Sequence, residues 1–198
     1  MLSKCPLPAP SGASYNFPGI SGQYYSYPSW NGSGVAAAGT VGLLIAHPII
    51  LKAGRTLDRI AVSHNNTLTA GETCRLGIFN DNGNGYPGAL LLDAGTVDLS
   101  TAPGMKAITI SQAIATSGVY WLAAVRQGAT ATAQLVHSAG GSSSSLGLPS
   151  EAAQNFEQVA AFSEAGVAGA LPANFTAVVT KRNAASNSAF IPTFVRIL

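Results

Sequence analysis

The sequence predicts an all-β fold, an antiparallel two-sheet sandwich of jelly-roll-like topology with about eight strands and an extended N-terminal arm. Short apolar runs of strand length recur along the chain, and clusters of Gly, Asn, Asp, Ser and Pro separate them. No helical pattern of the length that a βαβ unit needs lies between these runs, which argues against a parallel α/β sheet. No internal repeat is visible either, so the sequence also argues against a propeller or a solenoid.

The segment from Thr73 to Leu99 shows the strand pattern most clearly. Cys74 to Phe79 and Ala89 to Asp93 are apolar runs, and the segment between them consists almost wholly of Asn, Asp, Gly and Pro. These residue types tolerate a positive φ or pre-set a turn. We therefore predict a strand, a loop and a second strand here.

Two strands are predicted before this hairpin. Leu43 to Leu51 is a continuous apolar run, which predicts a strand that is buried on both faces or kinked at an edge by Pro48. Leu57 to His64 alternates with one offset, and the offset indicates a β-bulge.

Further strands follow the hairpin. Ala107 to Ile110 alternates, and Val119 to Arg126 is apolar on both faces, which predicts a central strand. Thr132 to Ser138 is another strand, and Ala189 to Leu198 forms a last strand that ties the C-terminus into a sheet. Ser150 to Val159 begins with a capping serine and an early acid, so a short helix is predicted there.

The predicted core consists of apolar residues that share a face of these strands. It comprises Leu57, Ile60, Val62, Leu76, Ile78, Leu90, Ile108, Ile110, Val119, Trp121 and Val125. Cys74 lies among them, and Cys5 lies near the N-terminus. Two cysteines do not make a disulfide framework, so we expect a buried free thiol at Cys74 rather than a bridge.

The first 35 residues differ in composition from the rest, and we divide the chain into an arm, residues 1–35, and a sandwich domain, residues 36–198. The arm is rich in Pro, Gly and aromatic residues, too aromatic for a solvated disordered tail. Two interpretations stay open, since the rings would either contact a partner subunit or cap the domain's own core. The candidate assembly contacts are Tyr15, Phe17, Tyr24, Tyr25, Tyr27 and Trp30.

The charge content indicates an assembled protein. Hydrophobic residues make up 47% of the chain and charged residues only 9%, against about 25% charged residues in ordinary soluble domains. A surface with so little charge favours association. The net charge of +2 comes from scattered residues, so nucleic-acid binding is not expected. No apolar run reaches the roughly 18 residues of a membrane helix, and we see no secretory signal, so membrane insertion and export are not expected.

The residues do not form a recognisable catalytic pattern, and we expect no enzyme. No Gly-x-Ser-x-Gly elbow is present, and the three histidines have no metal-ligand spacing. The loop from Asn80 to Gly85 is similar to the start of a calcium loop, but Leu91 stands where the bidentate Glu belongs, so a Gly/Asn turn is expected instead. We expect no cofactor and no metal.

Several phrases between Arg55 and Val125 carry a resemblance. They are Arg55–Val62, Gly71–Asp81, Tyr86–Leu90, Gly95–Asp98 and Gly118–Ala123. Together they resemble β-sandwich domains of the tail, fibre and head-attached structural proteins of tailed bacteriophages. The resemblance implies a virion component with a jelly-roll sandwich that is repeated symmetrically, and it implies no catalytic residue. It does not extend to the arm or to residues 155–171.

We therefore expect a non-enzymatic structural component of a phage particle, a capsid decoration or a tail- or fibre-associated protein, made in the host cytoplasm and located in the virion. Its expected partners are other virion proteins and further copies of itself, with a trimer favoured. The alternative is a receptor-binding module for host surface polysaccharide. Aromatic rings stack on sugars while amides bind hydroxyl groups, and Asn84, Tyr86 and Trp30 are the candidate contacts.

Overall fold

The computed structural model describes residues 20–26, 34–38, 40–64, 70–128, 134–138, 159–176, 180–183 and 193–198. The strands in these ranges are β1 (Tyr24–Tyr25), β2 (Gly34–Ala38), β3 (Leu44–Leu51), β4 (Arg55–His64), β5 (Thr73–Asp81), β6 (Pro87–Asp98), β7 (Gly104–Ile114), β8 (Gly118–Gln127), β9 (Gln134–Ser138), β10 (Val159–Glu164), β11 (Thr180–Asn183) and β12 (Thr193–Ile197). The described ranges contain no helix, and so none that is long and apolar enough to cross a bilayer.

Eight of the strands are connected as a jelly roll. One sheet contains the order β1-β12-β4-β7 and the other the order β3-β8-β5-β6, with all neighbours antiparallel. Counted along the chain from one to eight, these strands lie in the orders 1-8-3-6 and 2-7-4-5. The chain thus passes repeatedly between the sheets, as two Greek keys require. The predicted fold class is confirmed.

Four further strands extend this framework. β2 pairs with β9, and β9 joins the first sheet where Leu135 pairs with His64 at the end of β4. β10 pairs with β3 at the edge of the second sheet, and β11 pairs with β10. Because β2 spans residues 34–38, the boundary that we placed between residues 35 and 36 falls within a strand.

The predicted bulge in β4 lies at Asp58. Arg59 and Leu57 pair with the consecutive residues Arg196 and Ile197 of β12, so Asp58 is the extra residue. Its carboxylate accepts hydrogen bonds from Nε and Nη2 of Arg196 at 2.9 and 2.5 Å. The bulge therefore provides an ion pair that ties β4 to the last strand.

β8 is buried on both of its faces. Its Leu122 and Ala124 face the interior of the sandwich and join the main core, to which both sheets contribute. Its Trp121, Ala123 and Val125 face the other way and form a second core on the outer face of the second sheet. The predicted central strand is confirmed.

Residues 165–176 cover this second core, and we call them the strap. The side chains of Val167, Leu171 and Phe175 are buried in it. The amide of Leu171 also donates to Oδ2 of Asp93 at 3.0 Å. Backbone hydrogen bonds, each 2.9 Å long, tie the strap to Gly42, Gly88 and Leu90. The second sheet is thus covered on both sides, by the first sheet and by the strap.

Most of the predicted core residues are buried. The solvent-inaccessible ones are Leu57, Ile60, Val62, Leu76, Ile78, Trp121 and Val125. Leu90, Ile108 and Ile110 are half-buried and pack against the two cores. The prediction for Val119 is wrong, because this side chain is 39% exposed. It lies opposite the exposed Ile50, on the outer face of the second sheet beyond Trp121.

Some predictions concern residues outside the described ranges. These residues are Cys5, Tyr15, Phe17, Tyr27 and Trp30. The helix predicted from Ser150 to Val159 also lies outside them, except that Val159 begins β10.

Replacing Gly77 with Ala tests how closely the strap is packed on β5. A Cβ at this position would overlap Cδ1 of Leu171 and lie 2.7 Å from the carbonyl oxygen of Leu92. We expect Gly77→Ala to lower the free energy of unfolding by about 1–3 kcal/mol, measured by urea denaturation. Gly118→Ala is the matched control, because a Cβ there meets no atom within 4 Å. Equal losses in the two variants would contradict the close packing.

Candidate interaction surfaces

The described part of the N-terminal arm lies on its own domain. Tyr24 and Tyr25 pair with Arg196 and Val195 as the edge strand β1. The guanidinium carbon of Arg196 lies 5.7 Å from the ring centroid of Tyr24, within the range of a cation–π contact. Oγ of Ser26 donates to the carbonyl oxygen of Thr193 at 2.9 Å. This part of the arm therefore adds to the first sheet.

Of the six aromatic residues predicted as partner contacts, two lie in the described ranges. Tyr25 packs against the main core, and Tyr24 stacks under Arg196, so both have contacts within the chain. The same Arg196 binds Asp58, and this hydrogen-bonded guanidinium holds the pKa of Asp58 below its ordinary value. For these two tyrosines the structure matches the interpretation of a cap on the domain's own core. A partner contact by the other four stays a prediction.

The loop after β5 is organised by Asp81. Oδ1 accepts hydrogen bonds from the amides of Gly83 and Gly85 at 2.7 and 3.3 Å, and Oδ2 accepts one from Nε1 of Trp121 at 2.9 Å. Oδ1 thus holds the loop, and Oδ2 binds Trp121, the largest side chain of the second core. Among the described residues, no group of three or more His, Cys, Asp and Glu side chains is arranged to hold a metal ion. The Gly/Asn turn is the interpretation that fits.

Two of the three candidate carbohydrate contacts, Asn84 and Tyr86, lie in the described ranges, on the loop between β5 and β6. Asn84 is exposed at the tip of this loop. The ring of Tyr86 packs on that of Phe162, with 4.9 Å between the centroids and 34° between the planes. One face of the Tyr86 ring is therefore occupied from within. Trp30 lies outside the described residues.

Every described carboxylate accepts a hydrogen bond from its own chain. Three of them bind arginines: Asp58 binds Arg196, Glu72 binds Arg126, and Asp93 binds Arg75. The other three accept from uncharged groups: Asp81 from Nε1 of Trp121, Asp98 from Ser100, and Glu164 from the amide of Thr176. These six acidic side chains of the described ranges thus contribute hydrogen bonds to the fold.

The ion pair between Glu72 and Arg126 is fully buried. Oε2 of Glu72 accepts from Nη2 and Nε of Arg126 at 2.8 and 3.2 Å, and both side chains are almost without solvent contact. A Cβ on Gly128 would lie 2.8 Å from the Glu72 carboxylate, so only glycine fits there with this pair in place. Removing one partner of such a pair leaves the other charge buried and uncompensated, which strongly destabilises the fold.

Cys74 is a free thiol that is fully buried. Burial raises its pKa to about 12, although Arg126 lies near enough to oppose that shift. A thiol of this kind is not a nucleophile at neutral pH. The expectation of a buried free thiol at Cys74 is confirmed.

The three histidines, which are not predicted to bind a metal, lie in three different strands. His47 is buried inside the sandwich, and its Nε2 lies 3.2 Å from the carbonyl oxygen of Thr193. Burial lowers the pKa of His47 to about 4, so the ring is neutral at pH 7. His64 is also buried, at the end of β4. His137 belongs to β9.

One long side of the described sandwich lies between the edge strands β6 and β7. Within the described residues β6 pairs with β5, and its residues 88–90 also meet the strap, whereas β7 pairs only with β4. Half-buried apolar side chains of the core line this side: Leu91, Leu92 and Ala94 on β6, and Ile108 and Ile110 on β7. We call these strands and side chains the β6–β7 flank.

A cleft of about 500 Å³ opens at one end of the flank. Residues 96–98, Thr101 and residues 105–108 line it. Nζ of Lys106 donates to Oγ1 of Thr101 at 2.6 Å. The hydroxyl and amide of Ser100 bind Oδ1 of Asp98 and lower its pKa, with a smaller effect from the charge of Lys106. The cleft thus pairs an apolar wall with one acid and one base.

Sequence reasoning did not identify this flank. Small and apolar residues alternate in β7 as they do in a strand with neighbours on both sides. Only the pairing of the whole chain shows which strand ends a sheet.

Acidification should destabilise the protein through His47. Its pKa is about 4 in the folded state and 6.5 in the unfolded chain, so unfolding takes up a proton between these values and stability falls as the pH falls. From pH 7.5 to pH 5 we expect a loss of about 2 kcal/mol from this group, measured by urea denaturation. His47→Gln keeps a donor for the Thr193 carbonyl and removes the titration, so its loss should be smaller by that amount. An identical pH profile would contradict the assignment.

Comparison of this chain with models of protein families, with curated protein sequences and with solved structures found no match.

Proposed function

We propose that this chain is a non-enzymatic structural component of a phage particle, a capsid decoration or a tail- or fibre-associated subunit. The observation that carries the proposal is the use of the described carboxylates, all six of which bind donors of their own chain. A glycosidase site, or a metal site with carboxylate ligands, needs carboxylates that face a substrate or an ion. Here they serve the fold.

The resulting surface is poor in charge and carries apolar residues. Large hydrophobic side chains that are at least 39% exposed are Ile20, Val41, Ile50, Met105, Val119 and Leu198. The buried pair of Arg126 and Glu72 takes one arginine and one acid away from the surface, and the part-exposed pairs Arg75–Asp93 and Arg196–Asp58 each bring opposite charges together. Such a surface favours contact with other proteins over a free monomeric state.

The jelly-roll topology is compatible with this role. Capsid proteins and lectins both use it, so the fold by itself does not separate an assembly subunit from a sugar-binding module. The phage assignment is supported by the resemblance of the segments from Arg55–Val62 to Gly118–Ala123 to virion domains. The neutral surface supports the assembly role independently of that resemblance.

Purified particles of the phage that encodes this chain test the proposal. We expect the chain to remain with intact particles through a density gradient, and antibodies against it to label the head or the tail in electron micrographs. Its position would then separate capsid decoration from a tail role. A chain found only in the soluble fraction of the lysate, with particles that lack it, would sink the proposal.

Tyr86→Ala separates the assembly role from carbohydrate recognition. Because the Tyr86 ring packs on Phe162, we expect the variant to lose about 1–3 kcal/mol of unfolding free energy while particles that carry it stay bound to host polysaccharide as before. Tyr86→Phe keeps the ring and is the control for stability. Loss of polysaccharide binding in a folded Tyr86→Ala variant would favour the receptor-binding alternative instead.

A further inference from the structure

We propose that the free edge of β7 pairs with the β7 edge of a second copy of this chain, so that the first sheet continues across a two-fold axis. The inference deepens the proposed function, because it names one neighbour in the assembly and the strand that meets it.

The edge of β7 has the length and the unpaired backbone that such a contact needs. β7 has eleven residues, and within the described ranges it pairs only with β4. A sheet edge presents a row of N–H and C=O groups, and another strand is the partner that satisfies a whole row.

The other sheet edges differ from this one. β1 has only two residues. The edge of β3 is continued by β10 and β11. The first part of β6 is occupied by the strap, through hydrogen bonds that join Leu90 to Ala173 and Phe175 to Gly88. The open end of the flank, where the cleft lies, coincides with the first half of β7.

The composition of β7 suits a second copy of itself. Lys106 is its one charged residue, and Nζ of Lys106 is turned to Thr101. Ala107 and Thr109 are exposed and small, and Ile108 is half-buried on the other face. Two such edges bring together Met105, Ala107 and Thr109 on one face and Ile108 with the aliphatic part of Lys106 on the other, so side chains do not keep the two backbones apart.

Symmetry restricts the register. Opposed residues of an antiparallel pair point to the same face, and a two-fold axis perpendicular to the sheet preserves the faces. One residue must therefore pair with its own copy, and the axis passes midway between the two. The pairing with β4 is regular from Gly104 to Thr109, and the register shifts beyond it, where Gln112 pairs with Leu57.

Two registers place five residues of each copy within this regular stretch. One is centred on Lys106 and opposes two lysines, which repel each other. The other is centred on Ala107 and places Lys106 opposite Ile108 of the second copy, and Met105 opposite Thr109 of the second copy. The second register has no opposed like charges, and the aliphatic part of Lys106 covers an isoleucine. The geometry therefore assigns Ala107 to the axis.

Single cysteines along β7 test both the contact and the register. They are introduced into the full chain with Cys5 replaced by Ser, and the buried Cys74 is kept. On mild oxidation we expect Ala107→Cys to form a disulfide-linked dimer, because the two thiols meet at the axis. Thr109→Cys is the matched control, since its copies lie about 13 Å apart along the strands in this register. A mixture of Met105→Cys and Thr109→Cys proteins should instead form mixed dimers.

Circular dichroism and urea denaturation establish that each variant is folded, and sedimentation equilibrium of the unmodified chain gives its oligomeric state. We expect reversible dimers or larger multiples of dimers. A folded Ala107→Cys variant that stays monomeric under oxidation would overturn the inference, as would equally fast cross-linking of Thr109→Cys alone. If the chain is monomeric in solution and present in particles, this contact fails while the proposed function stands.

Discussion

The fold depends on burying β8 on both faces. Leu122 points into the sandwich and Trp121 points out of it, and neither side chain has solvent contact. One sheet packed on the other buries only the inner face, so the outer face needs a second cover. The strap supplies that cover, and Gly77 makes room for it because a side chain there would overlap Leu171.

The strands β3 to β9 and β12 could be predicted from the sequence because each of them satisfies a local pattern, whereas no strand was predicted at β1, β2, β10 or β11. The two apolar faces of β8 and the offset in β4 are properties of a few neighbouring residues, and both have their expected structural meaning. The strap could not be predicted, because its small and Gly-spaced residues have no strand or helix period. Alternation along β8 also predicts that Val119 is in the core. Alternation gives the face on which a residue lies but not how far the strap covers that face, and Val119 is exposed.

The candidate site shows the same division between local and long-range information. Asp81 and the following Asn and Gly residues suggest a cation loop when they are taken alone. The deciding contact comes from Trp121, forty residues away in sequence, whose Nε1 binds the Asp81 carboxylate. Glu72 and Arg126 likewise pair across a long separation and take their charges into the interior. A low charge content therefore becomes a still less charged surface, and only the folded chain shows this.

The two long sides of the sandwich differ in the described structure, and the proposed contact uses the side that no further strand continues. On the side of β3, two further strands continue the sheet. On the side of β6 and β7 the half-buried core residues are left at the edges. An inward charge and a bulge are common protections of an edge strand, and β7 has both in Lys106 and the shift beyond Thr109. In the proposed self-pairing they restrict the register, since one five-residue register opposes two lysines and longer pairings extend into the shifted stretch. The register centred on Ala107 is the five-residue register of the proposed contact that opposes no like charges.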